Sequence, residues 1–156
     1  MANLVADTTG LIHLLSSIIA LITGTAVLIM RKGSSSHIKM GYVYVGSMLI
    51  LLVTAFMIYR LFGGFGVFHI AALVSVITLI FGMIPLWTRK GPWKYFHFSF
   101  MYWSVMGLYA AFASEVLTRV PETPFFGMVG IATAVIMGIG AFVFVKKKED
   151  WVAIFS

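Results

Sequence analysis

Five long apolar stretches, separated by short polar segments, make up most of the chain. Each holds roughly 20 residues, the length that an α-helix needs to cross the hydrocarbon core of a bilayer. None alternates polar and apolar residues with a period of two, so a transmembrane β-barrel is excluded. The predicted spans lie at about residues 10–30, 37–62, 66–88, 95–119 and 125–145. We therefore predict an all-α, polytopic membrane protein.

The predicted arrangement is a single transmembrane domain over residues 1–156. Spans 1 to 4 are expected to form a four-helix core bundle, because helices joined by short loops pack as antiparallel neighbours. The fifth span, which is followed by three lysines at 146–148, is expected to be peripheral. Turn residues separate the spans, notably Gly63 and Gly64 after the second and Pro121 and Pro124 after the fourth.

The basic residues indicate an orientation. Nine of the 11 lysines and arginines fall on one predicted side of the membrane, and only Arg60 and Arg119 fall on the other. The positive-inside rule then places the N-terminus outside and the C-terminus in the cytoplasm, and we expect a multi-pass protein of the bacterial cytoplasmic (inner) membrane. The net charge of +6 lies in short loops, so nucleic-acid binding is excluded. The absence of cysteine excludes disulfides and thiolate chemistry.

Polar residues follow one face of the fourth span. The residues recurring there at steps of four and three are His97, Met101, Ser104, Leu108, Ala111 and Glu115. They share a helical face. Ionisable groups that face lipid are costly, so this face is predicted to point into a protein interior that the other helices supply.

The four histidines lie one apiece on spans 1 to 4, as His13, His37, His69 and His97. In the predicted topology His13 and His69 are near the outer face, and His37 and His97 are near the inner face. In an up-down bundle each pair lies across the bundle axis. This arrangement suits bis-histidine binding of haem b, at one or two sites. Arg60 and Arg119 would then bind propionates on the outer side.

Haem binding would make this protein a membrane oxidoreductase that transfers electrons within or across the membrane, with a quinone or a redox partner protein. Glu115 and Tyr59 would handle a coupled proton near the outer site. Replacement of His69 by alanine would then abolish the outer haem. Against this stands an equally weighted interpretation, in which the histidines are ordinary interfacial polar residues of membrane helices.

Two further alternatives stay open. His13, His69 and Glu115 are a legitimate zinc ligand set with an open position for water, as in a small intramembrane hydrolase. For Glu115 we favour an ion pair with Arg119 over zinc binding, because the two are four residues apart on one helix. The other alternative is a cofactor-free accessory subunit or a transporter.

Several sequence motifs resemble a family of predicted bacterial integral membrane proteins, domain of unknown function 2306. The motifs are His13 with Gly24, RKGSSSH at 31–37 followed by GYVYV, AFMIYR at 55–60, GGFGVFH at 63–69, and His97 with Met101, Trp103 and Ser104 leading into AAFASEVLTR. The resemblance covers spans 1 to 4. The family pattern falls on His13, His37, Tyr59, Arg60, His69, His97, Met101, Trp103, Ser104, Glu115 and Arg119.

One position departs from this pattern, since the family often has His-Arg where this chain has His37 followed by Ile38. The resemblance implies a membrane protein and carries no activity with it. The arrangement of histidines is also similar to that of transmembrane cytochromes b of the b561 type. In those proteins paired histidines on four helices hold two haems.

Overall fold

The computed structural model describes residues 7–59, 63–119 and 124–155. Within these ranges all regular structure is helical. The helices are α1 (Thr8–Ile29), α2 (Ser35–Met57), α3 (Val67–Thr88), α4 (Trp93–Leu117) and α5 (Phe125–Phe155). All five are long and apolar enough to cross a membrane, which confirms the predicted all-α, five-span fold. Arg60 and Pro121 lie outside the described residues.

Short polar side chains begin the first two helices. The Asp7 side chain accepts a hydrogen bond from the Gly10 backbone N–H at 2.7 Å, where α1 begins. Ser34 accepts one from the His37 N–H at 3.2 Å, where α2 begins. Both side chains satisfy backbone donors that have no partner inside the helix. The apolar pattern locates the first residue of each helix only to within a few residues, and the capping side chains determine where the helix begins.

Two helix ends differ from the predicted span ends. The predicted second span reaches residue 62, but α2 ends at Met57, and Ile58 after it is extended. Gly63 then takes a positive φ of 63°, a conformation that glycine adopts without strain. The predicted fifth span ends near residue 145, but α5 continues to Phe155. Lysine and glutamate are good helix formers, so the helix outlasts its apolar stretch.

Internal contacts divide the chain into two compact units, residues 1–76 and 77–156, and α3 contributes to both. In the first unit α1 packs along α2. The buried stripe of α1 includes Ser17, Ala20 and Gly24 at helical spacing, and α2 buries Tyr44 and Met48. Small residues let membrane helices approach closely, which explains the composition of this stripe.

In the second unit α4 packs along α5. The Tyr102 hydroxyl donates a hydrogen bond of 2.8 Å to the backbone carbonyl of Gly140 on α5. An aromatic cluster surrounds this bond and comprises Phe98, Tyr102, Trp103, Phe144 and Trp151. Because α5 extends beyond the apolar stretch, Trp151 lies in this cluster, with its ring 4.8 Å from that of Phe98. The extension therefore adds packing that an end near residue 145 would lack.

Lys32 closes the C-terminal end of α1. Its Nζ donates hydrogen bonds to the backbone carbonyls of Val27, Leu28 and Met30, at 2.8, 2.6 and 3.3 Å. A cation at this end also interacts favourably with the helix dipole. Burial alone lowers the pKa of Lys32 from its ordinary value. Lys32 therefore stabilises the end of α1, in addition to any contribution of its charge to the orientation of the protein in the membrane.

Candidate functional site

His97 is held by a backbone carbonyl. Its Nδ1 lies 2.7 Å from the carbonyl oxygen of Gly82 on α3. A carbonyl oxygen can only accept a hydrogen bond, so Nδ1 carries the proton and donates it. In the neutral ring the lone pair is then on Nε2. The hydrogen bond thus fixes both the orientation of the half-buried ring and the nitrogen that is available as a ligand.

A glycine makes this hydrogen bond possible. A Cβ built on Gly82 would lie 2.6 Å from the Sδ of Met101 and 3.4 Å from its backbone nitrogen. The C-terminal half of α3 and the first turns of α4 therefore approach closely, and a larger residue at position 82 would require the Met101 side chain to shift. Met101 lies one turn after His97 on the same helix and is buried, as the shared face in the sequence predicts. This contact brings the Gly82 carbonyl within reach of the imidazole.

His13 has a similar arrangement in the first unit. Its Nδ1 lies 3.0 Å from the hydroxyl oxygen of Thr54 on α2. That hydroxyl is also 2.9 Å from the carbonyls of Ile50 and Leu51, either of which can accept its single proton. With the proton donated to one of these carbonyls, the Thr54 oxygen accepts the Nδ1–H of His13. In that arrangement the lone pair of the neutral ring is on Nε2, as in His97.

His37 lies in the helix and not in the loop before it. It is the third residue of α2, its backbone N–H is bonded to Ser34, and its side chain is half-buried. This location satisfies one condition for the predicted inner ligand, which is that the residue belongs to a span.

His69 has the opposite hydrogen bond. Its Nδ1 accepts the backbone N–H of Gly66 at 3.1 Å, in the first turn of α3. The side chain of the third residue of a helix often accepts a hydrogen bond from the backbone N–H of the residue that precedes the helix. Because Nδ1 is the acceptor, the proton of the neutral ring is on Nε2. The ring is only 4% exposed, and among the described residues Nε2 has no hydrogen-bond partner.

Aromatic side chains surround His69. The rings of Tyr59 and Phe65 each stack on the imidazole with centroids 4.9 Å away. Phe56, from the last turn of α2, lies at 6.2 Å. Tyr59, predicted to handle a proton near the outer site, is thus a direct neighbour of His69.

Glu115 and Arg119 are paired with each other. The Arg119 guanidinium donates a hydrogen bond to the Glu115 carboxylate, and the side chains are 37% and 43% exposed, respectively. This confirms the ion pair expected from their spacing. Among residues 7–59, 63–119 and 124–155, no three histidine, aspartate or glutamate side chains come together as a metal site.

Sequence analysis did not find the partners that orient the histidines. Thr54 is a polar residue in an apolar span, Gly82 lies within α3, and Gly66 comes directly before α3 in the GGFGVFH motif. A polar side chain in a membrane span is a usable signal, so Thr54 could have been proposed. The Gly82 carbonyl and the Gly66 N–H are backbone groups. Every residue has a backbone carbonyl, and every residue except proline has an N–H, so the residue type does not indicate which of these groups bonds to a histidine.

Comparison with known proteins gives one match. The family model described as "Predicted membrane protein (DUF2306)" matches residues 10–146. This range includes α1 from its third residue, all of α2, α3 and α4, and most of α5, so the similarity extends beyond spans 1 to 4. No curated protein and no solved structure matches the chain.

Proposed function

Because the chain belongs to the DUF2306 family of predicted membrane proteins, whose name gives no activity, we propose a function from its own histidines: it binds haem b in the membrane and transfers electrons. The observation that supports this most is the hydrogen bond from His97 Nδ1 to the Gly82 carbonyl. Metal-binding histidines almost always donate their second N–H to a carbonyl, carboxylate or water. His97 makes such a bond to the Gly82 carbonyl.

Two of the four histidines, His97 and His13, are suited to bind a haem iron. Hydrogen bonds to Gly82 and Thr54 orient these rings, and Nε2 has the lone pair when Nδ1 donates. Bound haem would supply one-electron chemistry between ferric and ferrous iron. Because these hydrogen bonds already orient the imidazole rings, haem binding would require little further ordering of the histidine side chains.

His69 does not fit the same role as it is arranged here. Nε2 carries the proton, and Nδ1, which has the lone pair, is bonded to the Gly66 N–H. To act as a ligand through Nε2, the ring would have to move its proton to Nδ1 and give up this hydrogen bond. The proposal therefore takes His13 and His97 as ligands and leaves His69 out.

The proposed setting is the bacterial cytoplasmic membrane, with the N-terminus outside and the C-terminus in the cytoplasm. The clusters of lysine and arginine after α1, after α3 and within α5 support this orientation. A quinone or a redox partner protein would supply or accept the electrons. His97, near the start of α4, would then lie towards the cytoplasmic side.

The test is the visible spectrum of the purified full chain after expression with added haem precursor. We expect a Soret band that shifts on reduction with dithionite and a sharp reduced α-band, the signs of low-spin haem. The pyridine haemochrome then gives the number of haems per chain. A colourless protein would overturn the proposal.

A further inference from the structure

The strongest remaining feature of the molecule is the Nε2–H of His69. The ring is 96% buried, since only 4% of its surface is exposed, and this N–H has no acceptor in the described part of the chain. Buried polar groups are almost always hydrogen-bonded, because an unpaired donor loses its bond to water and gains nothing. A buried donor without a partner of this kind indicates an acceptor that is not among the described residues.

The Gly66 hydrogen bond fixes this donor in place. While Nδ1 accepts the Gly66 N–H, the neutral ring has no freedom to place its proton elsewhere. The bond also orients the ring relative to the start of α3. His69 is therefore a preorganised hydrogen-bond donor with known polarity, and not a ring that can adopt either tautomer.

The surroundings of the donor select a neutral acceptor. Tyr59, Phe65 and Phe56 surround the imidazole, and no acidic side chain of the described residues pairs with it. Placing an unpaired carboxylate or phosphate among aromatic rings is costly. A neutral carbonyl oxygen avoids this cost and accepts the N–H.

The covering side chains leave a route to the site. Tyr59 and Phe65 belong to the segment between α2 and α3, outside both helices, and they are 48% and 62% exposed. Each ring is held by its stacking on His69 on one side and meets the surroundings on the other. The N–H bond lies in the plane of the imidazole, so a carbonyl that accepts it must approach Nε2 from the edge of the ring, beside the stacked rings and not in place of them.

We propose that His69 donates a hydrogen bond from Nε2 to the carbonyl oxygen of a neutral, lipid-soluble molecule bound beside Tyr59 and Phe65. Two sources supply this chemistry in a membrane, which are a quinone and the ester group of a glycerolipid. No electron or proton transfer is part of the proposal. It does not rest on haem binding.

The test follows the Nε2–H of His69 by NMR in the full chain labelled with 15N-histidine. The protein is placed in nanodiscs of an ether-linked phospholipid, which has no ester carbonyl, and decylubiquinone is added. A matched sample uses nanodiscs of the corresponding ester-linked phospholipid without quinone. His69→Phe identifies the signal, since it removes the donor and keeps an aromatic ring.

A downfield shift of the Nε2–H proton on adding decylubiquinone supports the proposal with a quinone as the source. A shift in the ester-linked nanodiscs without quinone supports it with a lipid ester as the source. An Nε2–H signal that is the same in all three samples overturns it.

Two variants separate loss of the donor from loss of the fold. His69→Phe is expected to weaken decylubiquinone binding about three- to tenfold, the range of one hydrogen bond. His69→Gln keeps an N–H donor and is expected to retain more of the affinity than His69→Phe. Equal affinity in the wild type and both variants would exclude a quinone as the source of the carbonyl, and together with an unchanged Nε2–H signal in the ester-linked nanodiscs it would contradict the proposal. The haem spectrum is a separate measurement, so either proposal can fail alone.

Discussion

His97 and His69 differ in a way that their sequence positions do not reveal. Both lie near the start of a helix, as the fifth residue of α4 and the third of α3, and both bond through Nδ1 to the backbone of a glycine. His97 donates to the Gly82 carbonyl, whereas His69 accepts from the Gly66 N–H. The proton is therefore on Nδ1 in one ring and on Nε2 in the other.

The chemical consequence follows from the free nitrogen. His97 offers a lone pair, which a metal ion accepts, and His69 offers an N–H, which an oxygen accepts. Four histidines on four helices suggested four equivalent ligands. The backbone partner of each ring divides them into different roles, and this partner is set by where each helix begins and what it packs against.

The largest expected effect is that of His97→Ala, which removes the proposed ligand. We expect one full site to be lost, seen as the disappearance of its contribution to the reduced α-band and to the haem content per chain. His69→Phe is the matched control and is expected to keep the full haem content. If His69→Phe loses a haem and His97→Ala does not, the assigned roles are reversed.

The next effect is that of Gly82→Ala, which leaves both histidines in place. The added Cβ would lie 2.6 Å from the Sδ of Met101, so the Met101 side chain must shift or α3 and α4 must separate where His97 reaches the Gly82 carbonyl. Overpacking of this kind costs about 1–3 kcal/mol of unfolding free energy. We expect lower thermal stability and lower haem affinity together.

Gly107→Ala on α4 is the control for that variant, since nothing lies within 4 Å of its added Cβ. It should lose neither stability nor haem. Equal losses in the two alanine variants would mean that the close approach at Gly82 has no part in holding His97.

A smaller effect is expected for Thr54→Val, which removes the acceptor of the His13 Nδ1–H at nearly constant volume. Loss of such an orienting bond lowers metal-site affinity by roughly tenfold or more. Thr23→Val is the control, because Thr23 is equally buried and its hydroxyl is bonded only to carbonyls of its own helix. Haem titrations of the two variants that coincide would remove His13 from the site.

The smallest effect is expected for Glu115→Gln. The pair with Arg119 is more than a third exposed on both sides, and such pairs contribute about 0–1 kcal/mol. We expect a stability change within that range that shrinks at high salt, with haem content unchanged. Zinc bound by the wild type and lost in Glu115→Gln, measured by metal analysis, would favour the zinc alternative instead.

The five spans could be predicted because the length of an apolar stretch determines whether a helix can cross a bilayer. The ion pair of Glu115 and Arg119 was predictable because both residues lie on one helix at a fixed spacing. The end of α2 at Met57 and the length of α5 were not, because apolar character neither ends nor extends a helix by itself. The roles of His97 and His69 depend on the Gly82 carbonyl and the Gly66 N–H. Nearly every residue has such backbone groups, so the sequence does not indicate which of them bonds to a histidine.

The contrast between His97 and His69 is tested most directly by the 15N shifts of the ring nitrogens in the histidine-labelled protein, at a pH where both rings are neutral. Single histidine variants assign the signals. The account predicts a protonated Nδ1 for His97, and a protonated Nε2 with an unprotonated Nδ1 for His69. The same tautomer in both rings would contradict it.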